Sequence, residues 1–399
     1  MSTLRIQTYR LCEEALKHPA LRQALYDDGA ILMRDVLVNL HGVAHKTRRR
    51  VEGQLFRRAY FRRLELEVLP QFMSEALMDA SVRPALELKT LAYDLMLKVS
   101  LLFAGIDRQT GTEDESSHLS HLLVRLGQAA TLGQYTGDQR DAIESDIKAA
   151  MSEFNAQFLQ PSKARRLAEM SRTDASVQDD VLSLLLRHQD ELAMDDEALL
   201  REIAFFYLAS AHTSVHSIVH AFHEIHRWLA KTGRSLTALV EDPITLQRCA
   251  HESLRLHPSS PEAWRVALEP IELADGTRIE AGDQVIIELE TANRDPSVFG
   301  ENAAEFEPYR PRPAALNPSG LSFGLGMHVC IGLNLVAGTI LRDGQSVDEM
   351  QHQFGSMSVI LKELLAAGLR PDADQPGTKD PQSKRDTWLT YPVVRQPIT

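Results

Sequence analysis

The chain has 399 residues, of which 44% are hydrophobic and 25% are charged, and its formal net charge is −12. This acidic balance argues against general nucleic-acid binding, and no uncharged run approaches the roughly 18 residues of a membrane-spanning helix. Its three cysteines are too few and too scattered for a disulfide framework, so we expect a reducing, cytoplasmic compartment in which any special cysteine is a ligand or a nucleophile.

Up to about residue 260 the pattern predicts helix after helix, separated by polar loops such as Asp107 to Ser117. The longest predicted helix runs from about Asp196 to Thr232 without Gly or Pro, with Asp195 as its cap and Gly233 at its end. At about 1.5 Å per residue it would be roughly 50 Å long, so we expect it to cross a whole domain with its middle buried.

After Pro258 the pattern changes to short strands, a proline-rich loop over 308–318, a last helix near 357–367 and a closing strand around 388–394. The prediction is a mainly helical fold with a small β-sheet region, in a single domain over residues 1–399. The predicted strands are Trp264–Glu269, Ile271–Leu273 and Gln284–Glu290. Asp275–Gly276 is predicted to form a hairpin turn after the second of them.

Residues 323–332 read Phe-Gly-Leu-Gly-Met-His-Val-Cys-Ile-Gly. Three glycines let the backbone turn tightly and approach a flat group closely. Cys330 stands just before apolar residues that could start a helix, and a helix N-terminus favours a thiolate over a thiol. Such an electron-rich sulfur suits a haem iron. The alternative is a structural free cysteine, which is often simply buried.

This segment resembles the haem-binding signature of the cytochrome P450 family, position for position. The resemblance implies a prism-like fold with haem b between the long central helix and the loop of Cys330, which would be the axial metal ligand. It covers residues 252–332 continuously and is weaker from Leu199 to Trp228. The matched signature positions are Phe323, Gly324, Gly326, His328, Cys330 and Gly332.

The same resemblance implies further contacts outside the signature. His45 and Arg49 match a His-x-x-x-Arg pattern whose members bind haem propionates, and Arg265 and His328 match two more propionate contacts. A structural triad is also implied: Glu252 and Arg255, three apart on one helix face, joined by Arg310 from a later loop.

Gly320 to Gly324 also fits the G-x-S-x-G pattern of hydrolases, with Ser322 as the nucleophile. That arrangement needs a strand before the serine and a helix after it. Because the preceding run is rich in proline and more glycines follow, the pattern is interpreted as a coincidence.

The sequence of the central helix departs from the family's pattern at the position where, by the resemblance, the helix would pass the iron. The family's acid is replaced by His212, while Thr213 keeps the family's hydroxyl. A histidine with a pKa near about 6.5 can also pass protons, so His212 and Thr213 are the predicted catalytic residues. The predicted substrate contacts are Phe205, Leu208, Ala209 and Ala263.

Four histidines, His212, His216, His220 and His223, recur every three or four residues along this helix. An i, i+4 pair can bind zinc, but no HExxH motif or acidic third ligand accompanies them. Packed or solvated histidines are therefore the favoured interpretation, with His212 alone near the chemistry.

Residues 46–63 hold eight Lys or Arg against one acid, Glu52. The resemblance implies an acidic ferredoxin-type electron donor docking here, with a solvated helix face as the alternative. No nucleic-acid-binding motif accompanies these charges, which disfavours nucleic acid.

Two lengths also depart from the family. His45 lies closer to the N-terminus than its family equivalent, so the N-terminal part is predicted to be shortened or rebuilt. Residues 338–356 look like an insertion, because Gly338, Gly344 and Gly355 interrupt the helix expected after Cys330.

Taken with the resemblance, these residues predict a monooxygenase that uses O2 to hydroxylate or otherwise oxidise an apolar small molecule. Electrons would come from NAD(P)H through a separate redox partner, because the chain has no flavin or nucleotide motif. The alternatives are a peroxide-driven or coupling haem-thiolate enzyme with an altered proton relay and, more remotely, a non-catalytic haem-binding sensor.

Overall fold

The computed structural model describes residues 2–81, 86–172, 179–311, 313, 315–341, 347–381 and 383–396. The helices are α1 (Tyr9–Lys17), α2 (Ala30–Met33), α3 (Gly42–Glu52), α4 (Arg58–Arg63), α5 (Leu69–Ser81), α6 (Leu88–Ala104), α7 (Glu113–Gly127), α8 (Arg140–Phe154), α9 (Gln160–Met170), α10 (Val181–Arg187), α11 (Asp196–Thr232), α12 (Leu236–Val240), α13 (Pro243–Leu256), α14 (Leu289–Ala292), α15 (Pro296–Phe299), α16 (Leu333–Ala337) and α17 (Ser356–Ala366). The strands are β1 (Thr3–Ile6), β2 (Leu21–Gln23), β3 (Leu86–Glu87), β4 (Glu262–Ala267), β5 (Ile271–Glu272), β6 (Arg278–Ile279), β7 (Gln284–Glu288), β8 (Leu369–Pro371), β9 (Thr378–Lys379), β10 (Trp388–Thr390) and β11 (Pro392–Arg395).

The predicted mainly helical fold with a small sheet region is confirmed, and so is the long central helix. α11 begins at Asp196 and ends at Thr232. The carboxylate of Asp195 accepts a 2.7 Å hydrogen bond from the backbone N–H of Ala198 and so caps the first turn. Gly233 ends the helix with a φ of +66°, a conformation that glycine adopts without strain.

The chain forms two compact units. The first comprises the described parts of 1–22, 58–92 and 214–399, and the second those of 23–57 and 93–213. The single domain over residues 1–399 stays a prediction.

The first unit is built around a four-stranded sheet in the order β1, β7, β4, β2. β7 pairs with β1 in parallel, with Val285 opposite Leu4, and with β4 in antiparallel, with Val285 opposite Arg265. One face of β4 is buried at alternate positions, as the sequence predicts for a half-exposed strand. An apolar core of this unit joins α1 to the sheet.

The predicted hairpin turn at Asp275–Gly276 joins β5 to β6, which pair with each other. The predicted strand at 284–290 is β7, which pairs with β1 and β4. Val285, Ile286 and Ile287 are all buried, so β7 is covered on both faces and lies inside the larger sheet. Buried strands of this kind form continuous apolar runs and not alternating ones.

The second unit is helical. The loop predicted over 107–117 is shorter, because α7 begins at Glu113 with Thr112 as its cap: the Thr112 hydroxyl accepts from the N–H of Glu115 at 3.3 Å. Arg166 of α9 is 1% exposed and pairs with Asp107 at 2.8 Å and Asp180 at 3.0 Å.

The chain after Cys330 is interrupted as predicted. α16 ends at Gly338 (φ +76°), and α17 begins after Gly355 (φ +87°). A Cβ on Gly355 would lie 2.5 Å from the backbone N of Gly338. The backbones of the two glycines therefore contact each other, between the end of α16 and the start of α17. Between them, residues 342–346 of the predicted insertion lie outside the described residues.

Candidate active site

Cys330 ends a tight loop in the first unit. Its backbone N–H donates to the carbonyl of Phe323 at 2.8 Å, which closes the loop, and Gly324 and Gly326 have φ values of +65° and +67°. A Cβ on Gly326 would lie 2.9 Å from the carbonyl oxygen of Leu16, at the end of α1. Glycine is therefore required there both for backbone conformation and for packing.

The three cysteines differ in their surroundings. Cys12 and Cys249 are fully buried, and burial raises the pKa of the Cys12 thiol to about 12 and that of Cys249 still further. Both therefore stay protonated thiols at neutral pH. Cys330 is exposed, which is what a ligand cysteine needs and what a structural core cysteine lacks.

One expectation about Cys330 needs correction. The helix that follows it, α16, has only five residues. Because a macrodipole requires several aligned turns, a helix of this length adds little to the stability of a thiolate. Gly332 lies at the N-terminal end of α16 and links the cysteine loop to it.

A buried ionic network lies beneath this loop. Glu252 accepts from Arg255 with both carboxylate oxygens, at 2.7 and 2.8 Å, and from Arg310 at 3.1 Å. The Arg255 guanidinium also donates to the carbonyl of Ala303 at 2.7 Å. The structure thus brings together the three residues that the resemblance grouped.

Sequence reasoning missed Asn293, which connects this network to the cysteine loop. Asn293 is fully buried. Its amide donates to the carbonyl of Arg255 at 2.9 Å and to the Ser322 hydroxyl at 2.8 Å, and its oxygen accepts from the N–H of Leu321 at 2.7 Å. Its position in Ala-Asn-Arg-Asp, which matches the family, was the available signal.

The structure also contradicts a nucleophilic Ser322. Its hydroxyl donates to the carbonyl of Leu254 at 2.6 Å and accepts from Asn293, so it is a structural bridge. Turn conformations precede it where a hydrolase would have a strand.

One face of α11 stays open in the second unit. Phe205 and Ala209 are half-buried and Thr213 is exposed, whereas Phe206, Leu208 and Ala211 between them are buried. The spacing of four places the three side chains on the same face. Leu208 (2% exposed) and Ala263 (8% exposed, in β4) are packed in the interior, so their burial does not support the prediction that they contact substrate.

His212 is bonded through both ring nitrogens. Nδ1 lies 2.9 Å from the Tyr93 hydroxyl, and Nε2 lies 2.9 Å from the carbonyl of Leu123. A carbonyl only accepts, so Nε2 bears the hydrogen and Nδ1 accepts from Tyr93. A Cβ on Gly127 would lie 1.9 Å from Nε2, so the ring fits only because residue 127 is glycine.

The predicted propionate contacts lie in both units. His45 and Arg49 are one turn apart on α3 in the second unit; His45 is 2% exposed, and burial, with Arg49 beside it, lowers its pKa to about 4. In the first unit, Arg265 is 3% exposed in β4, and His328 lies in the short turn Gly326–His328.

The basic segment 46–63 is less open than its composition suggests. Arg48 is buried and paired with Glu202, and Arg50 and Arg57 face acids of the second unit, Glu191 and Asp179. In the first unit, Arg58 and Arg62 donate to the backbone carbonyl of Gln351. Arg63 lies 3.9 Å from Glu67, and Lys46 is exposed.

The rest of the histidine row belongs to the first unit. Burial lowers the pKa of His216 to about 3 and that of His223 to about 4, so both are neutral at pH 7. His223 Nδ1 lies 2.9 Å from the Tyr391 hydroxyl, and His220 Nε2 lies 2.9 Å from the carbonyl of Asp386.

These residues fit a haem. Cys330 is exposed, and the residues beside it, Phe323, Val329 and Ile331, are apolar and half-buried, which suits the flat face of a porphyrin. Arg265 is 3% exposed and carries a guanidinium, a group that can pair with a carboxylate.

Comparison with known proteins agrees with this site. A family model described as cytochrome P450 matches residues 239–337. The chain is 35% identical over 179 residues to cytochrome P450 105C1 of a Streptomyces species, covering 43% of this chain and 41% of that protein. It is 30% identical over 229 residues to the erythromycin C-12 hydroxylase of Saccharopolyspora erythraea, covering 57% of this chain and 55% of that protein.

These matches therefore span about half or less of the curated relatives' length. The crystal structure of CalO2 superposes over 99% of this chain and 91% of that chain, with a TM-score of 0.75 and 21% identity, which shows a shared fold. Among the described residues, no helix combines the length and hydropathy needed to cross a membrane. Residues 239–337, which include Glu252, Arg265 and Cys330, are thus similar to the cytochrome P450 family.

Proposed function

We propose that this protein is a haem-thiolate monooxygenase that hydroxylates or otherwise oxidises an apolar small molecule. The observation that supports this most directly is that Cys330 is an exposed residue, presented by a loop whose shape is fixed by glycines and hydrogen bonds. The match of residues 239–337 to the cytochrome P450 family model supports it as well. In the reaction, O2 takes up two electrons and two protons; one oxygen atom enters the substrate and the other leaves as water.

In this proposal Cys330 binds haem b as a thiolate. Arg49 and Arg265 would pair with the propionates, since arginine can hold a carboxylate with two hydrogen bonds. His45 and His328 would donate single hydrogen bonds to the same groups. Phe323, Gly324 and Gly332 would shape the loop that contacts the porphyrin. Bound haem would supply the iron centre that activates O2.

Thr213 and His212 would manage protons. The exposed Thr213 hydroxyl donates to the carbonyl of Ala209 at 2.9 Å and, after rotation, could bond a water that brings a proton. His212 can receive a proton on Nδ1 from Tyr93 and release the one on Nε2, so in this proposal it works as a pair with Tyr93.

The substrate would contact the open face of α11 through Phe205 and Ala209, an apolar surface beside the Thr213 hydroxyl. This supports an apolar substrate, and the similarity to the erythromycin C-12 hydroxylase supports hydroxylation as the reaction.

Electrons would reach the protein from an acidic ferredoxin-type donor. The exposed cations of the 46–63 segment that do not face acids of the second unit are Lys46, on α3, and Arg58 and Arg63, on α4. Complementary charge would steer an acidic partner, so turnover should fall as the salt concentration rises.

The test measures product and NADH consumption with a ferredoxin and its reductase, over a panel of apolar compounds. We expect substrate-dependent NADH use with one hydroxylated product per NADH. Thr213→Ala should lower product per NADH at least about tenfold, whereas Thr232→Ala, which removes a similar bond to the carbonyl of Trp228, should not. Product formation that survives Cys330→Ala would rule the proposal out.

The geometry of His212 favours one second candidate, a peroxide-driven enzyme. A histidine whose two nitrogens are both bonded is a slower proton carrier than a mobile carboxylate, and peroxide brings its own protons. Turnover with hydrogen peroxide alone that equals the partner-driven rate would replace the monooxygenase proposal with this one.

A further inference from the structure

Three side chains with metal-binding atoms meet in the first unit. His220 lies on α11, His257 is the residue that ends α13, and Asp386 lies before β10. His220 Nε2 is 4.0 Å and His257 Nδ1 is 3.7 Å from Oδ2 of Asp386, and candidate ligand atoms of all three lie within 4.8 Å of one another. Ligand atoms around tetrahedral zinc lie roughly 3.3–3.5 Å apart, so shifts of about 1 Å would close this group on an ion.

The orientation of these side chains favours a shared ion. The two imidazole rings stack at 4.2 Å with an interplanar angle of 21°, and His257 Nδ1 faces the Asp386 carboxylate. His220 Nε2, 4.0 Å from the same carboxylate, bonds to the Asp386 backbone carbonyl at 2.9 Å and would exchange that hydrogen bond for the ion. Lys379 Nζ lies 3.0 Å from the other oxygen, Oδ1, so the oxygen that faces the rings is Oδ2.

A second carboxylate orients His257 from behind. Its Nε2 lies 3.2 Å from Oε1 of Glu224, so the nitrogen that faces Asp386 is Nδ1. A histidine that binds a metal through one nitrogen almost always donates its other N–H to a carboxylate, a carbonyl or water, which fixes the ring and its tautomer. Glu224 and His257 already have this arrangement.

Burial and backbone conformation agree with a built site. The side chains of His220 and His257 are 1% and 13% exposed, while that of Asp386 is 46% exposed. An ion could therefore enter from the Asp386 side. Asp386 also has a φ of +48°, a left-handed conformation that is uncommon outside glycine and often found at functional positions.

We propose that His220, His257 and Asp386 bind a divalent transition-metal ion of the zinc class, with water completing its coordination. Two imidazole nitrogens and one carboxylate oxygen are donors that Zn²⁺ prefers. The ion ties α11, the end of α13 and the segment before β10 together, and it uses none of the residues assigned to haem. Sequence spacing did not reveal this site, because Asp386 is 166 residues from His220.

The test uses haem-loaded, untagged protein that has been treated with a chelator and desalted. Calorimetric titration with ZnCl2 should give one ion per chain, and the ion should raise the Tm because it binds only the folded state. His257→Gln and Asp386→Asn should each weaken binding at least about tenfold and abolish the rise in Tm. His121→Gln, which changes an exposed histidine on α7, should bind as the wild type does.

Far-UV circular dichroism and haem absorbance of each variant serve as the folding control. If His257→Gln fails to fold, Asp386→Asn decides alone, because that side chain is nearly half exposed. Wild-type zinc affinity in Asp386→Asn, or no binding by the wild type at about 100 μM zinc, would overturn the proposal. Both outcomes are independent of haem binding and of monooxygenase activity.

Discussion

Replacing Asn293 with alanine tests how the cysteine loop is supported. The substitution removes a fully buried amide that bonds to three partners: the carbonyl of Arg255, the hydroxyl of Ser322 and the N–H of Leu321. Ser322 keeps its bond to Leu254, so the groups left without a protein partner are one carbonyl and one N–H.

A buried polar group left unsatisfied costs about 1–3 kcal/mol. For two such groups, with partial rescue by water, we expect Asn293→Ala to lower the free energy of unfolding by about 3 kcal/mol. Because Leu321 and Ser322 directly precede Phe323, the loop of Cys330 should also loosen and haem should dissociate faster.

Urea unfolding followed by far-UV circular dichroism gives the first quantity, and haem transfer to an excess of an apo-haem acceptor gives the second. Asn334→Ala is the matched control, since its side chain is exposed on α16 and only its backbone is bonded. If Asn293→Ala and Asn334→Ala unfold at the same urea concentration and lose haem equally slowly, the argument for a support network is refuted.

Three more substitutions follow from single features of the fold. Gly355→Ala should lower the free energy of unfolding by at least about 2 kcal/mol, because the new Cβ clashes with the backbone at a residue in the left-handed conformation. The control Gly111→Ala has a φ of +70° but open space around it, so it should cost only about 1 kcal/mol. Equal losses in the two variants would show that the clash is not the cause. Burial raises the pKa of Glu65 from 4.5 to about 7, so the folded state binds this proton more tightly than the unfolded state. The free energy of unfolding should therefore fall by about 3 kcal/mol as the pH rises through this range. Urea titrations of Glu65→Gln should lack that part of the pH dependence, and a variant with the same pH profile as the wild type would refute the prediction. Arg166→Met should lower the free energy of unfolding by about 3–5 kcal/mol in the same titration, because it removes the ion-pair partner of the buried Asp180 and one partner of the half-buried Asp107. Arg165→Met, at a position 56% exposed, should cost under about 1 kcal/mol; similar losses would exclude the buried pair as the cause.

What the sequence predicted well was local. The bounds of α11 follow from a run without Gly or Pro and from the acid and glycine at its two ends, all within the helix itself. The turn of the cysteine loop follows in the same way from its own glycines. Both depend on backbone preferences that act over a few residues.

What the sequence did not predict depends on partners far along the chain. The order of the larger sheet was not predicted, because the neighbours of β7, β1 and β4, cannot be identified from alternation alone. The burial of Leu208 was not predicted either, since period alone does not separate an open helix face from a covered one. The role of Asn293 and the meeting of His220 with Asp386 likewise require the folded chain.

The central claim is that the sulfur of Cys330 is bonded to haem iron, and the spectrum of the reduced protein under carbon monoxide tests it most directly. We predict the strongly red-shifted Soret band of thiolate coordination in the wild type and in Cys12→Ala, and its loss in Cys330→Ala. A haem-loaded wild type without that band, or a Cys330→Ala variant that keeps it, would contradict the account.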